Sequence, residues 1–271
     1  LNFKILAVNV SSFIDKITLI EVVFQVNYPT ILAIDSKEPA DFQDRIRELY
    51  PIYDFQTQEM GQVTVGLGQS QPTFSHSTTS KRFYSFVSTD GKWKVVLSRD
   101  MLVLSTVAYS HWEDMLSRVM IPINYFSEIY HPVYYSRVGL RYIDSFEKEK
   151  LGLSDSPWKD LLKPHLLGSL SYTTQDYMQV KSASVISELC FDDVIVHSES
   201  GLGSVDHRDG NSPVEAFLLN CDYYSYGQFS KDDISKVADK LHTRSHIFFR
   251  DSIQDKLHHA MKPIELEGKN E

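Results

Sequence analysis

The chain reads as an α+β protein built from two duplicated modules, each running strand, helix, four strands, helix (β-α-ββββ-α), with antiparallel sheets backed by helices. Three observations predict this. Runs rich in β-branched and aromatic residues dominate, among them 18–28 (TLIEVVFQVNY) and 133–146 (VYYSRVGLRYIDSF). Two long apolar stripes at helical spacing each follow a series of such runs, near 110–130 and 230–250. The same order of elements then occurs twice, over residues 18–130 and 131–263, which defines two lobes.

In the first lobe the strand 18–28 is stopped by Pro29, and Phe42, Ile46 and Leu49 recur at spacings of four and three in a short helix over 41–50 that Pro51 ends. A strand over 62–68 precedes a Ser/Thr-rich stretch, 69–80, expected as a loop. Strands 82–88 and 92–98 flank Asp90-Gly91, a strong hairpin signal, and 101–107 is the last strand of the group. Trp112, Leu116, Val119, Ile123, Phe126 and Tyr130 then line one stripe of a helix, with Pro122 predicting a kink.

The second lobe opens with the strand 133–146, and Ser156-Pro157 begins a helix expected to reach Leu167. Strands follow at 172–180, 183–191 and 194–198, a polar loop at 199–213, and a strand at 215–224. Ser230 caps the closing helix with Asp233 three residues on, ahead of Ile234, Val237, Leu241 and Phe248. Ser252 and Asp255 restart a helix that runs to Met261, and Pro263 closes it. Residues 1–17 are expected as an extension outside the core and 264–271 as a tail. Two such modules make a saddle or a continuous sheet with a groove between lobes. That plan resembles the duplicated folds of the TATA-binding protein and of bacterial effector-binding domains, a likeness that implies shape and not activity.

Composition narrows the function. Apolar residues at 42% and charged residues at 23% suffice for a folded core, and a net charge of −9 repels a phosphate backbone, so nucleic acid is disfavoured as a partner. Cys190 and Cys221 sit in apolar strand patterns and read as reduced core cysteines. No apolar run approaches a membrane span and the first residues lack a leader pattern, from which no membrane association and a cytoplasmic location are expected.

The strand RVGLRYIDSF beginning at Arg137 carries a family resemblance, together with LIEVVFQVNYP near the start, the joint Tyr109, Trp112, Glu113, and the closing FFRDSIQDKLHHAMKP. These segments resemble a sporadically distributed prokaryotic family whose hallmark strand reads Arg-Ile/Val-Gly-Leu-Arg-Tyr-Ile-Asn, over roughly residues 18–263. The chain departs at Asp144, where that hallmark has Asn. No activity is attached to the family, so the resemblance implies a fold span and no reaction. Its patchy distribution implies mobile or defence-linked gene neighbourhoods.

Four residues apart on a strand, Arg137 and Arg141 share one face, while Val138, Leu140, Tyr142 and Asp144 share the other. Two guanidinium forks side by side either clamp a carboxylate or phosphate or pair with acids across the sheet, such as Glu21 or Asp222. Arg137, Arg141, Tyr109, Trp112 and Asp222 are therefore the candidate ligand-binding residues.

Motifs for chemistry are weak. His242 and His246 have the spacing of a shared metal, without the intervening Glu or a third ligand, and no metal is expected. The segment SVDHRDGN lacks the ordered ligands of a calcium loop. The glycines of VGLGQSQ and SGLGSVD lack the third glycine and the Lys-Ser/Thr of a phosphate loop. No nucleophile elbow is present, and Cys190 lacks an electropositive helix start. No catalytic residue and no cofactor are expected. Fifteen tyrosines, many at strand ends, suit core packing and a contact surface alike. The leading expectation is a non-catalytic binding protein engaging another protein or a copy of itself through the sheet edge or the groove. The alternatives are a sensor of a small anionic molecule using Arg137 and Arg141, and a hydrolase or nuclease of a defence system.

Overall fold

The computed structural model describes residues 18–67, 72–172, 180–205 and 214–262. It is an α+β fold in which nine described strands form one antiparallel sheet. The strands are β1 (Leu19–Asn27), β2 (Ile52–Leu67), β3 (Pro72–Val87), β4 (Trp93–Ser98), β5 (Met101–Thr106), β6 (Tyr135–Phe146), β7 (Ser184–Phe191), β8 (Val194–Val205) and β9 (Val214–Phe229). Their order across the sheet is β2-β3-β4-β5-β1-β6-β9-β8-β7. The helices are α1 (Leu32–Ser36), α2 (Ala40–Ile46), α3 (Trp112–Tyr130), α4 (Pro164–Leu167), α5 (Ile234–Ser252) and α6 (Asp255–Ala260).

Period-two alternation sorts the strand residues between a helix-covered face and an uncovered face. On β1, Val22, Phe24 and Val26 are buried; their β5 partners Leu102 and Leu104 and their β6 partners Val138 and Leu140 are buried with them. Helices α1 to α5 all lie on this side. Tyr84 donates its hydroxyl to the Ile34 carbonyl at 3.2 Å, Phe42 meets Phe86, Phe126 meets Tyr28, Ser200 donates to the Leu166 carbonyl at 2.9 Å, and Phe249 stacks near Phe146. One contiguous apolar core runs beneath them from β3 to β8, with Leu189 and Phe191 of β7 packed against it.

The central pair is β1 with β6, antiparallel from Asn27 opposite Arg137 to Leu19 opposite Asp144. That ladder joins the parts of the chain before and after residue 131 into one continuous sheet, so no groove separates two sheets.

Several elements differ from their sequence-based outlines. Strand β2 begins at Ile52, directly after Pro51, and β3 begins at Pro72, so residues 72–80 are strand where a loop was expected. Ser and Thr alternate with Phe74 and His76 over 73–77 and run unbroken over 77–80, and a strand tolerates that composition when a partner ladder satisfies its backbone, as β2 does over all sixteen pairs. The helix expected over 156–167 is broken into two 3-10 turns (Trp158–Asp160 and Gly168–Tyr172) flanking α4, because Pro164 restarts the chain and Gly168 at φ +50 stops it. Strand β8 continues to Val205, so residues 199–205 of the expected loop are strand, and 206–213 lie outside the described residues. Of the strand expected at 172–180, Tyr172 ends a 3-10 turn, Val180 is irregular, and 173–179 lie outside the described residues. Helix α3 runs through a buried Pro122. The Ser230–Asp233 cap forms as expected: the Asp233 carboxylate accepts from the Ser230 backbone N–H at 2.9 Å and from its hydroxyl at 2.6 Å.

Candidate functional site

The parity argument for β6 holds. Arg137, Gly139 and Arg141 lie on the uncovered face, while Val138, Leu140 and Asp144 are buried beneath the helices. Arg137 donates from Nη2 to Asp222 Oδ2 at 2.8 Å, and its guanidinium carbon sits 4.5 Å from the Tyr224 ring centroid. Gly139 makes this geometry accessible, since a Cβ built there would meet the guanidinium carbon of Arg137 at 2.8 Å. The absent side chain leaves a berth in which the arginine folds flat along its own strand.

Arg141 donates from Nε to Asn220 Oδ1 at 2.6 Å, Asn220 passes a bond from Nδ2 to Glu199 Oε2 at 3.2 Å, and His197 stands 3.3 Å from the other Glu199 oxygen. On the other flank, burial raises the Glu21 carboxyl, and a hydrogen bond from Ser105 with the charges of Arg141 and Lys94 pulls it back. Five strands, β5, β1, β6, β9 and β8, are thus linked across the middle of the uncovered face. Arg137 engages Asp222 through Nη2 and Arg141 engages Asn220 through Nε, so these two bonds use only part of each guanidinium's donor set, and the Asp222 carboxylate offsets the charge of Arg137.

Tyr109 and Trp112 are elsewhere. Trp112, 8% exposed, stacks on His242 of α5 with centroids 4.6 Å apart and planes 7° apart, and donates from Nε1 to Asp239 Oδ1 at 2.6 Å. Tyr142 reaches His242 Nδ1 at 2.9 Å, and Tyr109 meets Tyr142 edge-on at 6.0 Å. This cluster pins α3 to α5 on the covered side of the sheet. The five candidate residues therefore form two groups on opposite faces, Arg137, Arg141 and Asp222 on one and Tyr109 and Trp112 on the other, and do not line a single concavity. The period of two placed the strand residues correctly; nothing in the linear sequence placed the start of α3 relative to them.

His242 is lowered from its ordinary value, chiefly by burial and next by neighbouring His246, against opposing pulls from Asp239 and Glu113. Its Nδ1 is engaged by Tyr142, and among the described residues no three His, Cys, Asp or Glu side chains converge as a metal set. Cys221 is buried and pushed up to about 11 by that burial. Cys190 is exposed on β7, contrary to the expectation of a core cysteine, because it occupies an outward position on an edge strand.

Two features escaped the sequence reading. Asp144 is fully desolvated, pushed up to about 7, with Thr18 donating to its Oδ1 at 3.1 Å. A cleft of about 310 Å³ opens between β7, β8 and the helices α4 and α5, walled by Leu166, Val185, Leu189, Phe191 and Phe248 over Ser187, Ser198 and Ser200. Only the fold brings these segments together.

Compared with known proteins, the chain matches no family model and no curated protein. No described helix is long and apolar enough to cross a membrane.

Proposed function

We propose that this chain is a non-catalytic binding protein that engages another protein through the sheet surfaces its helices leave uncovered. The observation carrying this reading is the one-sided placement of helices α1 to α5, which among the described residues leaves the opposite face and the outer edge of β7 without a covering element. The cross-strand network of Arg137, Asp222, Arg141, Asn220 and Glu199 supports it further. It holds the middle of that face in one geometry, which lowers the ordering cost of association. The same pairing weighs against an anion clamp at Arg137 and Arg141. The reading includes a cytoplasmic setting, an internal duplication of the strand-helix plan with its likeness to the TATA-binding protein and effector-binding folds, and an association with mobile or defence-linked gene neighbourhoods drawn from the patchy distribution of the family that the chain resembles.

Affinity purification of the tagged full chain from its native host, with solution mass measured in parallel, tests the proposal. A stoichiometric protein partner, or a defined homo-oligomer, is expected. A clean monomer that retains nothing overturns it.

A further inference from the structure

We infer that the outer edge of β7, with the cleft beside it, is a groove for an extended segment of a partner protein that carries apolar side chains at alternate positions and a basic residue between them. The inference rests on the binding reading above and names where and how binding occurs.

Among the described residues no strand lies on the outer side of β7, whose eight residues contain no proline, lysine or arginine. Natural edges are usually guarded by such residues, by bulges or by a covering element. Here Ser184, Ile186, Glu188 and Cys190 are exposed, and Ile186 retains 65% of its surface. A row of main-chain donors and acceptors on an unguarded edge is satisfied best by another extended backbone.

Side chains supply the selectivity. The helix-facing residues of β7, namely Val185, Ser187, Leu189 and Phe191, are only half-buried and form one wall of the cleft, which Phe248 and Leu166 complete. Its volume of about 310 Å³ stands at the small end of the ~300–1,000 Å³ typical of ligand pockets, and it suits the side chains of a strand laid alongside β7. On the opposite face the one charge of β7 is Glu188, and Asp251 is the one carboxylate lining the cleft. An added strand therefore presents apolar residues to the cleft and a lysine or arginine to Glu188, since opposite charges across a strand pair stabilise it.

The same charges argue against a second copy as the occupant. Two β7 strands related by a two-fold axis would bring their Glu188 carboxylates onto one face, and each chain carries a net charge of −9.

A display library of random dodecapeptides panned against the full chain tests the inference. Enriched peptides should alternate apolar residues with Lys or Arg. Ser187→Phe, which fills the cleft, should weaken the best peptide by about tenfold or more, and Glu188→Lys should shift the selected pattern from basic to acidic. Glu188 is exposed, so its variant reports even if Ser187→Phe fails to fold. No enrichment, peptides indifferent to both substitutions, or a solution dimer that Ser187→Phe dissociates would each overturn the groove. A host partner that still binds both variants removes this groove while leaving the binding function standing.

Discussion

The guanidinium of Arg137 lies over Gly139, two residues along the same face of β6, and from there reaches Asp222 and the ring of Tyr224. Gly139 is an ordinary central-strand position apart from this berth, and glycine costs a strand packing and entropy. Its presence between two arginines is explained by the side chain folded across it. Gly139→Ala should push the guanidinium off Asp222 and leave a carboxylate, 32% exposed, with a weakened partner. The expected loss is about 1–2 kcal/mol, the range for a partly screened, charge-assisted bond. Urea unfolding of Gly139→Ala, Arg137→Ala and the double variant decides the matter: the two losses should be strongly non-additive. Additive losses would show that the glycine serves some other purpose.

Asp144 produces a pH dependence of definite sign. Burial raises its carboxyl to about 7, so between its unfolded value and pH 7 the folded state holds a proton that the unfolded state has released. Stability from this group is therefore present at low pH and lost as pH rises through that window. Asp144→Asn keeps an acceptor for the Thr18 hydroxyl and removes the charge. The variant should be more stable than the parent at pH 8 and about equal at pH 4. Thermal melts at both values check it; a parent and variant that differ equally at the two pH values would refute a titrating Asp144.

Thiol chemistry separates the two cysteines. The Cys221 thiol is buried, raised by desolvation to about 11, and donates to Ser198 Oγ, whereas Cys190 is exposed. An aromatic disulfide reagent at pH 8 should modify one thiol per chain rapidly and the second only at the rate of unfolding. Cys190→Ser should abolish the fast phase. Two fast thiols would place Cys221 outside the core described here.

Much of the fold was legible because it rests on local periodicity. The alternation in 133–146 assigned Arg137 and Arg141 to one face and Asp144 to the other, and the Ser230–Asp233 spacing marked the start of the closing helix. The failures have two causes. Residues 72–80 form a strand through partner contacts with β2, and the 3-10 turns around α4 arise where Pro164 and Gly168 interrupt an apolar run. Long-range placement was not legible at all: Trp112 and Arg137 belong to opposite faces because α3 crosses above the sheet, and a one-dimensional period carries no record of that crossing. The cleft at β7 is missed for the same reason, since its walls come from four separated segments.

His242 adds the opposite pH limb. Its imidazole is held neutral below the usual histidine range by burial and by His246, with Asp239 and Glu113 pulling the other way, Tyr142 on Nδ1, and Trp112 stacked on its face. Near pH 6 the unfolded state binds the proton more readily, so stability is present above the free histidine value of about 6.5 and falls as pH drops below it. Exposing the ring's environment should also cost packing: His242→Ala forfeits the stack and the Tyr142 bond, together about 2 kcal/mol. His242→Gln offers Tyr142 a polar partner without a titrating ring. In the Asp144→Asn background, which removes the Asp144 part of the alkaline limb, His242→Gln should reduce the acid limb between pH 5 and 7 in chemical denaturation, leaving the share of His165, whose imidazole is also lowered by burial. An acid limb that persists unchanged in that double variant would assign it to another group and leave the Trp112–His242 stack a purely structural contact.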